Sequence, residues 1–358
     1  MGRIELRTFD GDLDALAAMA YETLFSEYGD TSWRDLNQPE VARLVLADVP
    51  DPRFLIGAYD GSQLVGFVAN LPRRYRFNGQ SYLGVYSTML AARKGYQGVA
   101  ALLMAECLRR HQEFEADLAL FTLQKGTRAA HMFAKMLGHR YRIEHVRTMY
   151  ALARVIDLPA MATSQHLPWY EQAGAKLVGA DRPIAAPLLD DGLAKARCLV
   201  RPYRADDLDA ILELTQRYSD RRQLVRVFSR AALSHRLHTE GITQTLVYER
   251  GGVVQGFINY AVYELLSASA RQRWAWLDLL YWAGLAPREK QALLAALWQQ
   301  SRERGCIGIL DWSKGSYAVG PLLRARFVPY PLGIEMMAWV LNPALSFRGV
   351  RGVWEEIA

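Results

Sequence analysis

The chain has 358 residues, of which 51% are hydrophobic and 22% charged, with a formal net charge of +6. That length is long for one core and comfortable for two, at about 100 to 200 residues per domain. The composition excludes a disordered or collagen-like chain, and no stretch reaches the roughly 20-residue apolar run of a membrane span.

In chain order, Ile4 to Phe9 alternates as a strand does, and Asp12 is placed to cap a helix running to Glu27. A second helix is predicted from Pro39 to Ala47. Phe54 to Tyr59 and Leu64 to Arg76 read as a hairpin around Asp60-Gly61, and Asn78-Gly79 turns the chain into a third strand, Gln80 to Leu90. Arg93 to Gly98 then opens a helix from Val99 to Glu113. Asp117 to Leu123 is a strand, Thr127 to Leu137 a helix and His145 to Ala153 a last strand.

The pattern then repeats. Asp12-Leu-Asp-Ala-Leu is answered by Asp207-Leu-Asp-Ala-Ile, the Gly66-Phe67 pair by Gly256-Phe257, and Lys125-Gly126 by Lys314-Gly315. The three matches keep their order and nearly their separation, which argues for a duplicated domain. The expected organisation is a domain over 1–154, a linker over 155–197, a second copy over 198–345 and a tail over 346–358. The linker is rich in Ala, Pro and Leu. Within it, His166-Leu-Pro-Trp-Tyr170 reads either as an ordered strap across the first domain or as plain linker.

The order β-α-α-β-β-β-α-β-α-β resembles that of the GNAT acetyltransferases, and Gly95-Tyr-Gln-Gly98-Val-Ala100 resembles the signature that opens their central helix. Gly95 stands where that family usually has Arg or Gln. The resemblance implies an α/β (α+β) fold of two tandem GNAT-like domains, each a mixed, mostly antiparallel sheet flanked by helices. It also implies acetyl-CoA or another acyl-CoA as co-substrate. The chemistry suits those residues: the first amides of a helix lack intrahelical partners, and a glycine lets a phosphate approach the backbone. Leu90, Ala91, Arg93, Lys94, Gly95, Tyr96, Gln97, Gly98, Val99, Ala100 and Thr127 are the expected cofactor-binding residues.

Direct attack of an amine on a thioester needs a deprotonated nucleophile, a donor for the oxyanion and a proton for the sulfur. Tyr86, Ser87 and Thr88, just before the loop, are polar candidates for the first, and a backbone amide near Leu90 for the second. The tyrosine that supplies the proton in many family members is replaced by Ala134, with Thr127 in place of an upstream Asn. This leaves Tyr141 and His131 as candidate acids, against the plainer reading of a packed aromatic and a surface histidine. Asp278 lies in an apolar strand of the second copy and is either a substrate contact or a structural hydrogen-bonding group. In that copy the turn before the helix carries Pro287 and no glycine pair, so acyl-CoA is not expected there.

Nine tryptophans, most of them in the second half, read as core or as the wall of an apolar groove. Arg73-Arg74-Tyr75-Arg76 is the densest basic cluster, readable as an anion contact or a solvated strand face. Cys107, Cys198 and Cys306 lack the spacing of a disulfide framework or a zinc site. With no apolar leader after Met1 they indicate a reduced, cytoplasmic protein. The expected function is N-acyl transfer from acyl-CoA to an amine of a small molecule or peptide. Neither nucleic acid nor a metal is expected as a partner. Two further readings are a transferase drawing its acyl group from a carrier protein or charged tRNA, and a non-catalytic binding protein.

Overall fold

The computed structural model describes residues 3–28, 33–34, 38–47, 49–96, 98–125, 142–187, 198–217, 223–266 and 270–355. In the first half these are β1 (Ile4–Thr8), α1 (Leu13–Tyr28), β2 (Trp33–Arg34), α2 (Pro39–Leu46), β3 (Leu55–Asp60), β4 (Gln63–Phe77), β5 (Gln80–Ala92), α3 (Val99–Glu113), β6 (Leu118–Gln124) and β7 (Ile143–Val155). Local chemistry sets their ends. Asp12 Oδ1 accepts the amide of Ala15 at 2.9 Å and starts α1. Asn78 and Gly79, at φ 52° and 78°, make the left-handed turn that joins β4 to β5.

Two helices follow, α4 (Leu158–Ser164) and α5 (Trp169–Leu177). The second half supplies β8 (Cys198–Pro202), α6 (Leu208–Gln216), β9 (Gln223–Val227), α7 (Arg230–Leu237), β10 (Thr243–Arg250), β11 (Val253–Leu266) and β12 (Arg271–Tyr281). It continues with α8 (Pro287–Glu303), β13 (Gly308–Trp312), α9 (Gly320–Arg324), β14 (Val328–Val340) and β15 (Gly352–Trp354). The repeated elements pair off in order: β1 with β8, β3 with β10, β4 with β11, β5 with β12, α3 with α8, β6 with β13 and β7 with β14.

All the strands join one mixed sheet, whose main path runs β1-β3-β4-β5-β6-β14-β7-β13-β12-β11-β10-β8. Read from either end, the path visits five strands of one copy and then the sixth strand of the other. The last strand of each copy therefore lies in its partner's sheet, β14 against β6 and β7 against β13. The two exchanged strands meet each other antiparallel at the centre, Met149 opposite Ile334. The copies expected as 1–154 and 198–345 are consequently distinct in sequence and interleaved in space.

The core follows this arrangement. One face of the first half packs Val65, Leu103, Cys107 and Trp339 beneath α3, and the second half packs Leu293, Leu297, Trp298 and Ile309 beneath α8. A larger cluster, including Tyr86, Met149, Trp274, Ile334 and Val353, runs through both halves. Seven tryptophans, from Trp274 to Trp354, are at most 6% exposed and are core, whereas Trp169 is 78% exposed. No described helix is long and apolar enough to cross a membrane.

Of the segment expected as linker, residues 155–187 are described, and its α4 and α5 sit against the second half. Tyr330 donates to Gln165, and Arg326 donates to the carbonyl of Gly179. The expected tail is instead woven into the sheet: β15 runs parallel to β9, which pairs with β4. Trp354 and Glu355 are at most 1% exposed.

Candidate functional site

The loop between β5 and α3 has the form of an anion cradle. Gly95 and Gly98 adopt φ of 94° and 89°, which L side chains rarely reach, and a Cβ on either would meet open space. Gly98 is the N-cap of α3, with no side-chain cap and no acidic residue in the first turn. The amide of Val99 turns back to the carbonyl of Tyr96 at 3.3 Å, and the next two, of Ala100 and Ala101, have no partner among the described residues, with the positive end of the helix dipole behind them. Lys94 and Ala100 are exposed and Val99 is buried. Tyr96 donates its hydroxyl to Asp60, while Arg93 is held by Glu22 at 2.8 Å and by the carbonyl of Leu64. Lys94 therefore carries the loop's free charge.

Directly before this loop, β5 breaks its ladder. Ala69 pairs with Thr88 and Phe67 with Ala91, so Met89 and Leu90 together face Val68 in a β-bulge. Met89 takes φ 57°, a left-handed value that favours glycine. Its neighbour Leu90 turns outward and is 37% exposed. Pairing of β5 with the parallel β6 also stops here, at Ser87 opposite Phe121, although both strands run on. Beyond this point β5 and β6 run on without pairing to each other, a break in the sheet, here called the fissure, that begins beside the bulge.

The two faces of the sheet divide the polar candidates. Tyr86, fully buried, brings its hydroxyl to 3.4 Å from Thr122 Oγ1 at the foot of the fissure. The guanidinium of Arg73 lies 4.7 Å from its ring centroid, and Arg73 bonds Glu355 at 2.7 Å. Ser87 points the other way and donates to Asn70 Oδ1 at 2.8 Å, an oxygen shared with His111 Nε2 at 2.9 Å. Burial holds the His111 imidazole down at about 3 and pushes the Cys107 thiol up to about 12. This cluster under α3 is neutral packing, without a thiolate nucleophile.

In the second half the same features are present and filled. Asp278 and Leu279 form a matching bulge opposite Asn259. The ammonium of Lys314 enters beside it, donating to the carbonyls of Asp278 at 2.6 Å and Glu355 at 2.8 Å. Asp278 is paired with Arg236 at 2.5 Å. At the start of α8 the third residue, Glu289, turns back to accept the amide of Ala286 at 2.6 Å and the hydroxyl of Tyr248 at 2.7 Å. A carboxylate of the chain thus takes the place an anion would need.

Over 100% of its length the chain superposes on Saccharomyces cerevisiae N-myristoyltransferase with bound myristoyl-CoA, covering 90% of that chain with a TM-score of 0.73 at 15% identity. A GCN5-related N-acetyltransferase from Kribbella flavida gives a TM-score of 0.55 at 14% identity, with 95% of this chain and 71% of that one covered. The chain has a tandem GNAT fold. No family model matches it, and no curated protein matches it in sequence.

Within the tandem GNAT fold, the structure gathers Leu90, Ala91, Arg93, Lys94, Gly95, Tyr96, Gly98, Val99 and Ala100 around one bulge, loop and helix start. Tyr86 stands beside them at the fissure, Ser87 is committed to Asn70 behind the sheet, and Asp278 is held in an ion pair in the other half. Gln97, Thr127, His131, Ala134 and Tyr141 lie outside the described residues. Among the described residues there is no cluster able to hold a metal. Glu355, buried against Arg73 and Arg226, escaped the sequence reading because nothing in a terminal Val-Trp-Glu marks it as interior. Arg154 is another, an arginine 1% exposed within a run of apolar residues. A charge that interrupts a strand otherwise reading as core was its available signal.

Proposed function

We propose that the protein is an N-acyltransferase that moves an acetyl or longer acyl group from acyl-CoA to an amine of a small molecule or peptide. One observation carries this reading: among the described residues, only the first half aligns an uncapped helix start and a left-handed glycine with a bulge and a fissure. The amides of Ala100 and Ala101, with Lys94, suit a pyrophosphate. The fissure suits an extended thioester arm, and the bulge offers backbone amide to an oxyanion. The relatives in fold support the same chemistry, since one is described with bound myristoyl-CoA.

In the proposed reaction the acceptor amine attacks the thioester carbonyl. A C–N bond forms, the C–S bond breaks, the amine gives up a proton and the leaving thiolate takes one. Tyr86, at the foot of the fissure, is the proposed relay for that proton; Arg73 and Glu355 are positioning residues that hold its ring. Ser87 and Asp278 have structural roles in this scheme.

The test is calorimetric titration with acetyl-CoA and with myristoyl-CoA, in the native protein and in Ala101→Glu. Ala101 is the third residue of α3, as Glu289 is of α8, so the substitution supplies the carboxylate that closes the second cradle. It leaves the strained glycines untouched. One acyl-CoA bound per chain, weakened about tenfold or more by the new carboxylate, is the expected result. Failure of both thioesters to bind the native protein overturns the proposal.

A further inference from the structure

A sizeable cavity lies away from the cradle. It lies in the second half, about 530 Å³ in volume, between the first turns of α8, the end of α9 and residues 183–185. Four arginines line it, Arg154, Arg288, Arg324 and Arg326, and among the described residues no aspartate or glutamate does. Ile184 and Leu294 supply apolar wall. Glu289, which closes the start of α8, is turned away toward Tyr248 and Arg250.

Arg154 decides what this cavity is for. It is 1% exposed, yet its hydrogen bonds go to the carbonyls of Val155 and Arg182 and to no carboxylate. Its Nε is buried with no partner. Burial, reinforced by nearby Arg326 and opposed by Asp181, lowers its pKa to about 10. A buried cation with no carboxylate in hydrogen-bond contact costs several kcal/mol unless something compensates it. At the other side of the cavity Arg288 and Arg324 are exposed, and neither has an ion-pair partner among the described residues.

The geometry points to a second ligand site in the α8–α9 cavity, for a phosphate-bearing small molecule whose apolar body lies against Ile184 and Leu294. Guanidinium forks match phosphate oxygens in pairs, and three or four of them around one cavity fit a diphosphate better than a single carboxylate. The volume lies within the usual range for small-molecule sites. The site is separate from the first-half cradle and does not depend on the acyltransferase reading.

Titration with pyrophosphate and with ADP tests it. Arg288→Ala/Arg324→Ala removes two exposed guanidinium groups and preserves the fold, while Ala101→Glu blocks the first cradle alone. Binding that survives Ala101→Glu and weakens about tenfold or more in the double arginine variant establishes the site. Tighter binding of ADP than of pyrophosphate identifies a nucleotide-like body; equal binding identifies a phosphate site with no base recognition. The proposal is overturned by absence of binding of both probes at millimolar concentration. It is equally overturned by binding that Ala101→Glu abolishes and the arginine variant leaves unchanged.

Discussion

Asp311 sits in β13 with none of its surface exposed; Oδ1 accepts the Tyr317 hydroxyl and Oδ2 has no partner. Burial pushes its carboxyl up to about 7. The unfolded chain ionises near pH 4 while the folded one keeps its proton. Stability is therefore lost as pH rises from about 4 to about 7 and is level above that. Asp311→Asn keeps the shape and removes the titration, so the variant should gain on the order of a few kcal/mol over the native protein at pH 8 and nothing near pH 4. Urea unfolding at the two pH values reads this, and parallel curves would mean that Asp311 ionises as an exposed carboxyl does. His111 acts with the opposite sign. Held neutral to about 3, it stays unprotonated while the unfolded chain takes up a proton below about 6.5. Stability is lost as pH falls through that window, and His111→Gln, able to donate to Asn70 in its place, should flatten the acid limb of the same measurement. The sequence shows neither effect, because a histidine late in a helix and an aspartate before a tryptophan look like surface residues until the sheet that buries them is assembled.

The Gly-Phe pair that first revealed the repeat has a reason in the elements it joins. A Cβ on Gly66 would stand 2.6 Å from Val99 Cγ1 and 3.0 Å from Leu103 Cδ1, so β4 needs a glycine where α3 crosses it. A Cβ on Gly256 would meet the carbonyl of Tyr281 at 2.8 Å and the side chain of Leu285. Both Gly66→Ala and Gly256→Ala should cost about 1–3 kcal/mol. Only the first displaces the leading turn of α3, and so only the first should weaken acyl-CoA binding; equal losses of affinity would detach the cradle from that turn. Elements of this kind were legible. Asn78-Gly79 gave the hairpin, and the helix predicted from Val99 to Glu113 has those ends. The left-handed turns at Gly95 and Gly98 were legible for the same reason, since left-handed φ is written in residue type. What fills the second copy was not. Glu289 and Lys314 reach their positions through tertiary contacts, and no local pattern separates a carboxylate that caps its own helix from one left free.

At the scale of the molecule, the duplication was readable and the exchange of strands was not. The hydrophobic pattern of β7 or β14 says that a strand is buried on both sides and leaves open whose sheet buries it. The terminal strand adds a second tie between the halves. Glu355, none of it exposed, accepts Arg73 of the first half and lies 3.8 Å from Arg226 of the second. Removing it in Glu355→Ala leaves two buried guanidinium groups facing each other, which should cost about 3–5 kcal/mol, measured as a lower urea midpoint. The interleaving makes a stronger prediction. Residues 1–187 alone present the edges of β6 and β7 with β14 gone from between them, and residues 198–358 alone leave β13 and β14 without β7. Unpaired backbone and exposed apolar faces then meet water at the centre of what was the core. Each fragment expressed separately should aggregate or unfold without a cooperative transition, and the two expressed together should reassemble as a one-to-one complex with an intact cradle. A cooperatively folded, monomeric fragment 1–187 would show that the first copy closes its sheet with its own sixth strand, and that the exchange is dispensable.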